Sequence, residues 1–356
     1  GYPEVPWFSS EVLLSPGHSI QNVEILDIEY FEEDFQVKLM PAGRQFPLSS
    51  DKSEKYTVKA NEKIYASSRA YPANTIEHIR TDYLSGHAIG SFVICPVNYI
   101  PADNHLRAIK SISLKIETSR TGKGINALKN LRTNYAIDNR LKDIADNPQV
   151  LSKYSYDRGK DAAMSDILLI SSEELMPEFA DYIEFKNQMG FIVSSITVEE
   201  IYENYSGQDN QEKIRNCIID YYQNSGIAYV ILGGDADTGG DDNIVPVRDL
   251  SCNAYGVDDD IASDVYYAGL DGSWNEDGDN NWGEDGEEDY YMEVATGRIC
   301  VDNATEIANF TNKLVMYQSE PVVEDIEKAL MVGELLWSDP TWGGDYKDEI
   351  AEGANT

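Results

Sequence analysis

The chain of 356 residues carries 28 Lys and Arg residues against 63 Asp and Glu residues, a formal charge of −35. That length predicts two domains or three, and a hydrophobic content of 42% with 23 Tyr residues excludes a disordered chain. Because phosphate groups would be repelled, the charge argues against a nucleic-acid partner and against docking on anionic membranes. No apolar run reaches the roughly 18 residues of a membrane span.

The negative charge lies almost entirely in the second half of the chain. Residues 1–160 contain 20 Lys and Arg residues and 19 Asp and Glu residues, whereas residues 161–356 contain 8 and 44. All four histidines lie before residue 161. Because one half is neutral and the other strongly acidic, the sequence predicts two domains with different roles rather than a general adaptation to salt.

Residues 1–120 have the pattern of short strands. Apolar side chains alternate with polar ones at Val23 and Ile25, at Phe35, Val37 and Leu39, and at Ile112, Leu114 and Ile116. This period of two buries one face of a strand and exposes the other, and turn residues separate the runs. We therefore predict a β-sandwich domain over residues 1–120. Residues 121–164 lose the pattern and are rich in Lys and Arg, which predicts a basic linker that is open to cleavage.

Residues 165–356 show a different rhythm, in which strands and helices alternate. Strands are predicted at 166–171, 191–196 and 227–232 with helices between them, followed by a strand at 294–300, a helix at 305–318, a strand at 329–336 and a short helix at 346–351. Apolar strands that alternate with helices are typical of a parallel sheet covered by helices. The second domain is therefore predicted to be α/β.

The densest negative charge lies in residues 258–293, which contain 14 Asp and Glu residues and no Lys or Arg. Calcium takes six to eight oxygen ligands from a flexible backbone. Asp277, Asp279, Asn281 and Glu288 match positions 1, 3, 5 and 12 of an EF-hand loop, but Trp282 replaces the glycine of position 6, so the segment is not an EF-hand. Because carboxylates this dense repel one another within a Debye length of about 8–10 Å, we favour a calcium site over a solvated acidic loop.

A complete Cys–His pair is not expected within this chain, because both side chains must lie within hydrogen-bond reach and every histidine belongs to the first half. Cys217 falls on the apolar face of a predicted helix and Cys300 at the end of a strand, where cysteines are usually small buried hydrophobes. A nucleotide-binding α/β protein is a weaker third alternative, because the glycines after the strand at 227–232 lack a phosphate-loop pattern.

Short motifs occur in a fixed order along most of the chain. They are residues 167–171, Ile214 with Arg215, residues 229–235, 244–246, 263–267 and 270–272, Gly297 with Arg298, Lys313 with Tyr317, and residues 330–334 and 342–346. A second set in the first half consists of Gly1, Pro3 and Pro6, Tyr71 with Pro72, and residues 96–99. In this order the motifs resemble those of the gingipain-like cysteine peptidases (clan CD, family C25), the first set in the catalytic domain and the second in the prodomain.

The resemblance implies a prodomain followed by a caspase-like α/β domain, the second domain being incomplete because the Cys–His dyad of the family would follow Thr356 on the same or a separate chain. It implies a secreted cysteine endopeptidase in zymogen form, located outside the cell or on its surface. Its partners would be protein or peptide substrates and a C-terminal catalytic chain of the same precursor. The alternative is a non-catalytic, calcium-binding surface or adhesion module with the same fold.

The resemblance also assigns roles to individual residues. Glu334 matches the acidic residue that orients the catalytic histidine, and Asp345 falls where Arg-specific members place the carboxylate that binds a P1 arginine. The family binds calcium, and the expected ligands of a structural calcium ion are Asp264, Asp271, Asp277, Asp279, Asn281, Asp285 and Glu288. Complementary charge between the neutral and acidic halves would hold the prodomain in place.

Overall fold

The computed structural model describes residues 1–43, 58–155, 165–236, 243–253, 257–323 and 328–330. In the N-terminal region the strands form two three-stranded antiparallel sheets. The first sheet has the order β1 (Phe8–Leu13), β4 (His87–Ile94), β3 (Ile76–Leu84), and the second has the order β2 (His18–Gln36), β6 (His105–Arg120), β5 (Val97–Ile100). A single helical turn, α1 (Glu62–Tyr65), begins at the N-cap Asn61.

The two sheets meet where Ile20 of β2 packs on Gly90 of β4, in the space that a Cβ atom at position 90 would occupy. The apolar residues farther along β2 and β6 pair across the strands, as in Val23 with Ile116. They are only partly buried, and Ile25 is 36% exposed. Strands are confirmed at Val23 and Ile25 and at residues 112–116, whereas β2 ends at Gln36, before Val37 and Leu39. The face-to-face packing of the two sheets as a sandwich stays a prediction.

The segment predicted as a basic linker contains two helices, α2 (Gly122–Ala127) and α3 (Tyr135–Ile144), within its described part. Thr121 and Asn134 begin these helices by accepting backbone N–H groups on their side chains. Leu141 of α3 is fully buried in a cluster with residues of β1, β3 and β4. The apolar side chains of α3 therefore pack this segment against the first sheet. The segment was predicted to be a linker because its helices are too short to give a recognisable apolar pattern.

The second region is built on a parallel sheet, as predicted. Its strands are β7 (Ile167–Ser171), β8 (Val193–Thr197), β9 (Tyr229–Gly233) and β12 (Ala295–Ile299), in the order β12, β9, β7, β8. Its helices are α4 (Ala180–Gln188), α5 (Val198–Asn204), α6 (Asn210–Ser225) and α7 (Ala304–Ser319). Local sequence signals mark the ends of two of these helices. Thr197 and Glu200 form a capping box at the start of α5, and Gly226 ends α6 with φ of +84°.

The sheet is covered on both faces. Leu168 and Val230 pack with Ile201 of α5 and Ile218 of α6, whereas Leu169 and other residues pack with Tyr182 of α4 and Ile307 of α7. The central strand β7 is thus buried along its whole length, whereas the edge strands β8 and β12 are half-buried. A parallel sheet with helices on both faces confirms the α/β prediction for the described part of this region. The strand predicted at 329–336 lies outside the described residues from residue 331 onward, and the helix predicted at 346–351 lies wholly outside them.

An antiparallel pair of strands, β10 (Arg248–Asn253) and β11 (Val257–Ser263), lies at the start of residues 258–293, which we call the acidic segment. The segment is folded around Trp274, which is 1% exposed and packs edge-to-face on Tyr266. Its indole N–H donates to the carbonyl oxygen of Gly269 at 3.2 Å. An aromatic core therefore orders this highly charged segment. Among the helices of the described residues, none is both long and apolar enough to cross a lipid bilayer.

Candidate functional site

The candidate site is organised by Arg215 of α6. Its guanidinium is buried and donates to the carbonyl oxygens of Tyr266, Gly269 and Gly272 at 2.6–3.1 Å. Burial lowers the pKa of Arg215. These acceptors are neutral carbonyl groups, so the positive charge of the guanidinium acts on acidic side chains that lie nearby.

Three such acids, Asp271, Asp289 and Glu293, form what we call the carboxylate trio. Asp271 and Asp289 are each 6% exposed, and Glu293 is partly buried. Burial, with the charge of Asp271, raises the pKa of Asp289 to about 7. Burial and the two neighbouring carboxylates raise the pKa of Glu293 well above its usual range, and burial also raises the pKa of Asp271. Burial among like charges therefore disfavours the charged form of each carboxyl group in the trio.

The N-terminal region supplies hydrogen-bond donors to this trio. The turn between β3 and β4 has positive φ at both Ser85 (+49°) and Gly86 (+76°). The backbone N–H of Ser85 donates to Oε1 of Glu293 at 2.9 Å, and that of Gly86 donates to Oδ2 of Asp271 at 3.1 Å. The side-chain amide of Asn130 donates to Oδ1 of Asp271 at 2.6 Å. Both oxygens of Asp271 are thus bound by residues that precede the α/β region.

A second buried contact lies beside the turn. The guanidinium of Arg132 stacks on the ring of Tyr222 at 3.8 Å and donates to the carbonyl oxygens of Tyr222 and Ile227, the latter at 2.8 Å. The hydroxyl of Tyr222 in turn bonds to Oγ of Ser85 at 3.0 Å. The C-terminal end of α6 is therefore bound by a cation from the N-terminal region, which suits the negative end of the helix dipole.

Ion pairs surround these buried contacts. Arg80 binds Asp82 within β3 and Glu288 in the acidic segment, with Nη1 of Arg80 3.0 Å from Oε1 of Glu288. Lys123 of α2 pairs with Glu276 on the exposed surface. Basic residues from the neutral half therefore meet the acidic segment, as complementary charge predicts.

The seven residues expected to bind calcium fall in four places. Asp277 and Asp279 lie with Glu284, each offering one oxygen within 4.8 Å of the others. The backbone and side-chain N–H groups of Asn281 donate to Asp279 at 2.6 and 3.2 Å. Asp285 lines a cavity of about 300 Å³ that Asp277 and Glu284 also line.

The other three expected ligands are engaged by protein groups. Asp264 accepts two hydrogen bonds from Arg298, at 2.6 and 2.8 Å. Asp271 belongs to the carboxylate trio, and Glu288 is paired with Arg80. These three carboxylates therefore lie apart from the group formed by Asp277, Asp279 and Glu284. The carboxylate oxygens of Asp277, Asp279 and Glu284 fit a hard cation such as calcium.

Sequence reasoning missed several of these residues. Glu284 falls at position 8 of the EF-hand comparison, which supplies no ligand, so the comparison passed over it. Asp289 and Glu293 lie in the acidic segment without any distinguishing motif. The Ser85–Gly86 pair is a turn signal between two apolar runs and would have indicated the hairpin. Its contact with the acidic segment depends on residues about 200 positions away, which no local pattern reveals.

No cysteine in the described residues has the surroundings of an activated nucleophile. Cys95 and Cys217 are buried, and burial raises the pKa of the Cys217 thiol to about 12. Cys252 and Cys300 are exposed, and the histidines belong to the N-terminal region. Glu334 and Asp345, the residues expected to orient a histidine and to bind a P1 arginine, lie outside the described residues.

The carboxyl edge of the parallel sheet carries an open cavity of about 900 Å³. Its lining includes Ser172 after β7, Glu199 and Tyr202 of α5, and Asp302 after β12. This edge is where α/β folds bind ligands. The fold and its junction define the class of protein: an α/β domain on which an N-terminal β region is docked through buried polar contacts.

Comparisons with known proteins identify the family. The model described as peptidase family C25 matches residues 161–355, and the model of the C25 propeptide matches residues 1–139. The chain therefore belongs to peptidase family C25 and contains a propeptide region followed by a peptidase region. This confirms the resemblance to gingipain-like peptidases found in the sequence.

Three solved structures from Porphyromonas gingivalis are similar to the chain. The complex of the RgpB pro- and mature domains has 16% identity, covers 42% of this chain and 73% of that chain, and has a TM-score of 0.32. A structure addressing the zymogenic latency of gingipain K has 22% identity, covers 34% and 68%, and has a TM-score of 0.27. Dimeric latent PorU has 13% identity, covers 74% of this chain and 22% of that chain, and has a TM-score of 0.34. No curated protein matches the chain, and the family assignment rests on the two family models.

Proposed function

We propose that the chain is the zymogen portion of a secreted cysteine endopeptidase of the gingipain type. One observation carries this proposal: the region that matches a C25 propeptide is docked on the region that matches the peptidase. The junction buries polar contacts from Ser85, Gly86 and Asn130, which supports a propeptide that stays bound rather than two independent modules.

The catalytic cysteine and histidine are proposed to come from residues outside this sequence. Residues 161–356 contain no histidine, and the raised pKa of Cys217 opposes formation of a thiolate. Glu334 is proposed to orient the incoming imidazole and stabilise its protonated form. Asp345 is proposed to pair with the guanidinium of a P1 arginine in protein or peptide substrates.

A structural calcium ion is proposed at Asp277, Asp279 and Glu284, with Asn281 and Asp285 beside it. Three carboxylate oxygens within 4.8 Å of one another support this assignment. The ion would offset the mutual repulsion of these groups and order the loop that contains Gly278 and Gly283. It is given no role in the chemical step.

The proposal is tested on the complete precursor that contains this chain, with a specific protease site introduced within residues 156–164. Hydrolysis of fluorogenic peptides with Arg, Lys or Ala at P1 is followed before and after cleavage. We expect hydrolysis to rise after cleavage and separation of the propeptide, to favour the Arg peptide, and to disappear on alkylation with iodoacetamide. A complete and separated protein that hydrolyses none of the peptides would contradict the proposal.

The alternative is a non-catalytic surface or adhesion module with the same fold and calcium site, and the lack of histidine in residues 161–356 fits it equally well. The two functions differ in the remainder of the precursor. The peptidase requires a cysteine and a histidine on neighbouring strands there, and the module does not. Mass spectrometry of the purified natural protein, with any associated chain, distinguishes them.

A further inference from the structure

One short stretch of the peptidase region, residues 288–293, meets the N-terminal region along most of its length, and we call it the docking segment. Three polar contacts of 2.9–3.0 Å cross between them, and the N-terminal region supplies the donor in each. The pairs are Nη1 of Arg80 with Oε1 of Glu288, Nη1 of Arg140 with the carbonyl oxygen of Met292, and the backbone N–H of Ser85 with Oε1 of Glu293. The segment is therefore bound at both of its ends.

Between these polar contacts the docking segment makes an apolar one through Tyr291. This side chain packs against a buried cluster of the N-terminal region, which we call the tyrosine socket. The socket consists of Leu13, Leu84, Ile89, Leu141 and Ala145. Burial raises the pKa of the Tyr291 hydroxyl, whereas the adjacent Tyr290 is 62% exposed. The segment thus presents one tyrosine to the N-terminal region and the other to water.

The peptidase region holds the docking segment in the shape that the socket receives. The backbone N–H of Tyr291 donates to Oδ1 of Asp289 at 3.1 Å, and that of Leu270 donates to Oε2 of Glu293 at 2.6 Å. The backbone N–H of Glu293 donates to the carbonyl oxygen of Ala268 at 3.0 Å. Because both partners of each bond belong to the peptidase region, the segment is preorganised, and docking costs less conformational entropy.

The surroundings of Tyr291 have the layout of an interface hot spot. An apolar pocket receives an aromatic ring, and polar contacts around it exclude water and fix the direction of the bound segment. Two of the donors, Arg80 of β3 and Arg140 of α3, are cations that face an acidic stretch of chain. Complementary charge therefore adds selectivity to the apolar contact.

We propose that the N-terminal region contains a peptide-recognition site, formed by the tyrosine socket with Arg80 and Arg140, whose ligand is a short acidic segment that presents one tyrosine. In this chain the ligand is the docking segment, and Tyr291 is its anchor. The proposal rests on the proposed docking of the propeptide and names the residues that carry it. Because the ligand is continuous in sequence, a free peptide of the same sequence binds the site.

The test starts from the folded full chain with a specific protease site introduced within residues 156–164. The chain is immobilised through a C-terminal tag and cleaved, and the dissociation constant of the N-terminal fragment is measured by surface plasmon resonance at pH 7.5. We expect Tyr291→Ala to raise it at least about thirtyfold, the loss that defines a hot spot. Tyr291→Phe, which keeps the ring, should remain within about fivefold of the wild type.

Tyr290→Ala is the matched control, because it removes the neighbouring tyrosine, which is exposed. Its dissociation constant should remain within about threefold of the wild type. Equal dissociation constants for the two alanine variants, with wild-type fragments that bind, would overturn the tyrosine socket and leave the proposed function standing. Wild-type fragments that never bind again would instead contradict the docking itself, and the proposed function with it.

A synthetic peptide of residues 286–295 tests the site on the wild-type protein, so this reading does not depend on the folding of any variant. At about 1 mM the peptide should displace at least about half of the N-terminal fragment from the immobilised C-terminal fragment. The same peptide with Tyr291→Ala should displace at least about tenfold less, and the peptide with Tyr290→Ala should act like the wild-type peptide. A wild-type peptide that displaces no more than its Tyr291→Ala form would overturn the proposal.

Discussion

Gly86 offers the sharpest single test of the junction between propeptide and peptidase regions. Replacing it with alanine introduces a Cβ atom 2.6 Å from Cα and 2.7 Å from the backbone nitrogen of Leu131, and 2.9 Å from the carbonyl oxygen of Ala127. These are backbone atoms and cannot turn aside. Its φ of +76° is also a conformation that alanine adopts only with strain.

The magnitude can be built from three contributions. The left-handed conformation costs about 1 kcal/mol and the steric overlap about 1–3 kcal/mol, but Ala127 and Leu131 belong to the N-terminal region, so these two costs fall on the free propeptide as well. Docking itself is weakened because the N–H of Gly86 is displaced from Asp271, and leaving a buried acid without that hydrogen bond costs about 1–3 kcal/mol. We therefore expect the dissociation constant to rise roughly 5- to 150-fold.

The assay is the docking measurement on the cleaved chain, and Gly278→Ala is its control. Gly278 has nearly the same backbone conformation, φ of +75°, but no atom of the described residues lies within 4 Å of its Cβ position. That variant carries the conformational cost in the acidic segment without touching the propeptide, so its dissociation constant should match the wild type. If Gly86→Ala docks within about threefold of Gly278→Ala, the turn does not bind the trio as described.

Three further predictions concern the α/β region. Arg215→Met should lower the free energy of unfolding in urea by about 3–5 kcal/mol, because it leaves the carbonyl oxygens of Tyr266, Gly269 and Gly272 without their buried donor, whereas an unchanged midpoint would show that these hydrogen bonds do not stabilise the fold. Calcium should raise the midpoint of thermal unfolding of the full chain. The double variant Asp277→Asn with Asp279→Asn should abolish that rise, and the control Asp264→Asn should keep it. Equal midpoints with calcium and with EDTA would favour a solvated loop. At pH 8 iodoacetamide should label the exposed Cys252 and Cys300 and spare Cys217, because burial raises the pKa of the Cys217 thiol to about 12. The labelled peptides are identified by mass spectrometry, and labelling of Cys217 before the other two would contradict its burial.

The described sheet of the α/β region could be predicted from sequence because its signals are local. Strands such as Ile167–Ser171 are short apolar runs that are buried on both faces, and caps such as Thr197 with Glu200 mark where helices begin. The helices of residues 121–155 were missed because they are short and are stabilised by tertiary contacts. Leu141, for example, is buried by side chains of β1, β3 and β4 rather than by its own helix.

The junction could be anticipated in its charge but not in its geometry. The contrast between a neutral half and an acidic half predicted attraction, and pairs such as Arg80 with Glu288 follow that expectation. Asp271 was expected to bind calcium because nothing in the sequence distinguishes a carboxylate that faces a cation from one that faces backbone N–H groups. Its actual donors, Gly86 and Asn130, are brought to it by folding of the N-terminal region.

The central claim is that the N-terminal region is a propeptide held on the peptidase region by the β3–β4 turn and the carboxylate trio. Size-exclusion chromatography of the chain cleaved within residues 156–164 tests it most directly. At pH 6 and micromolar concentration, the two fragments should elute together at the position of the uncleaved chain, and Gly86→Ala should make them elute apart. Wild-type fragments that separate at pH 6 would contradict the account.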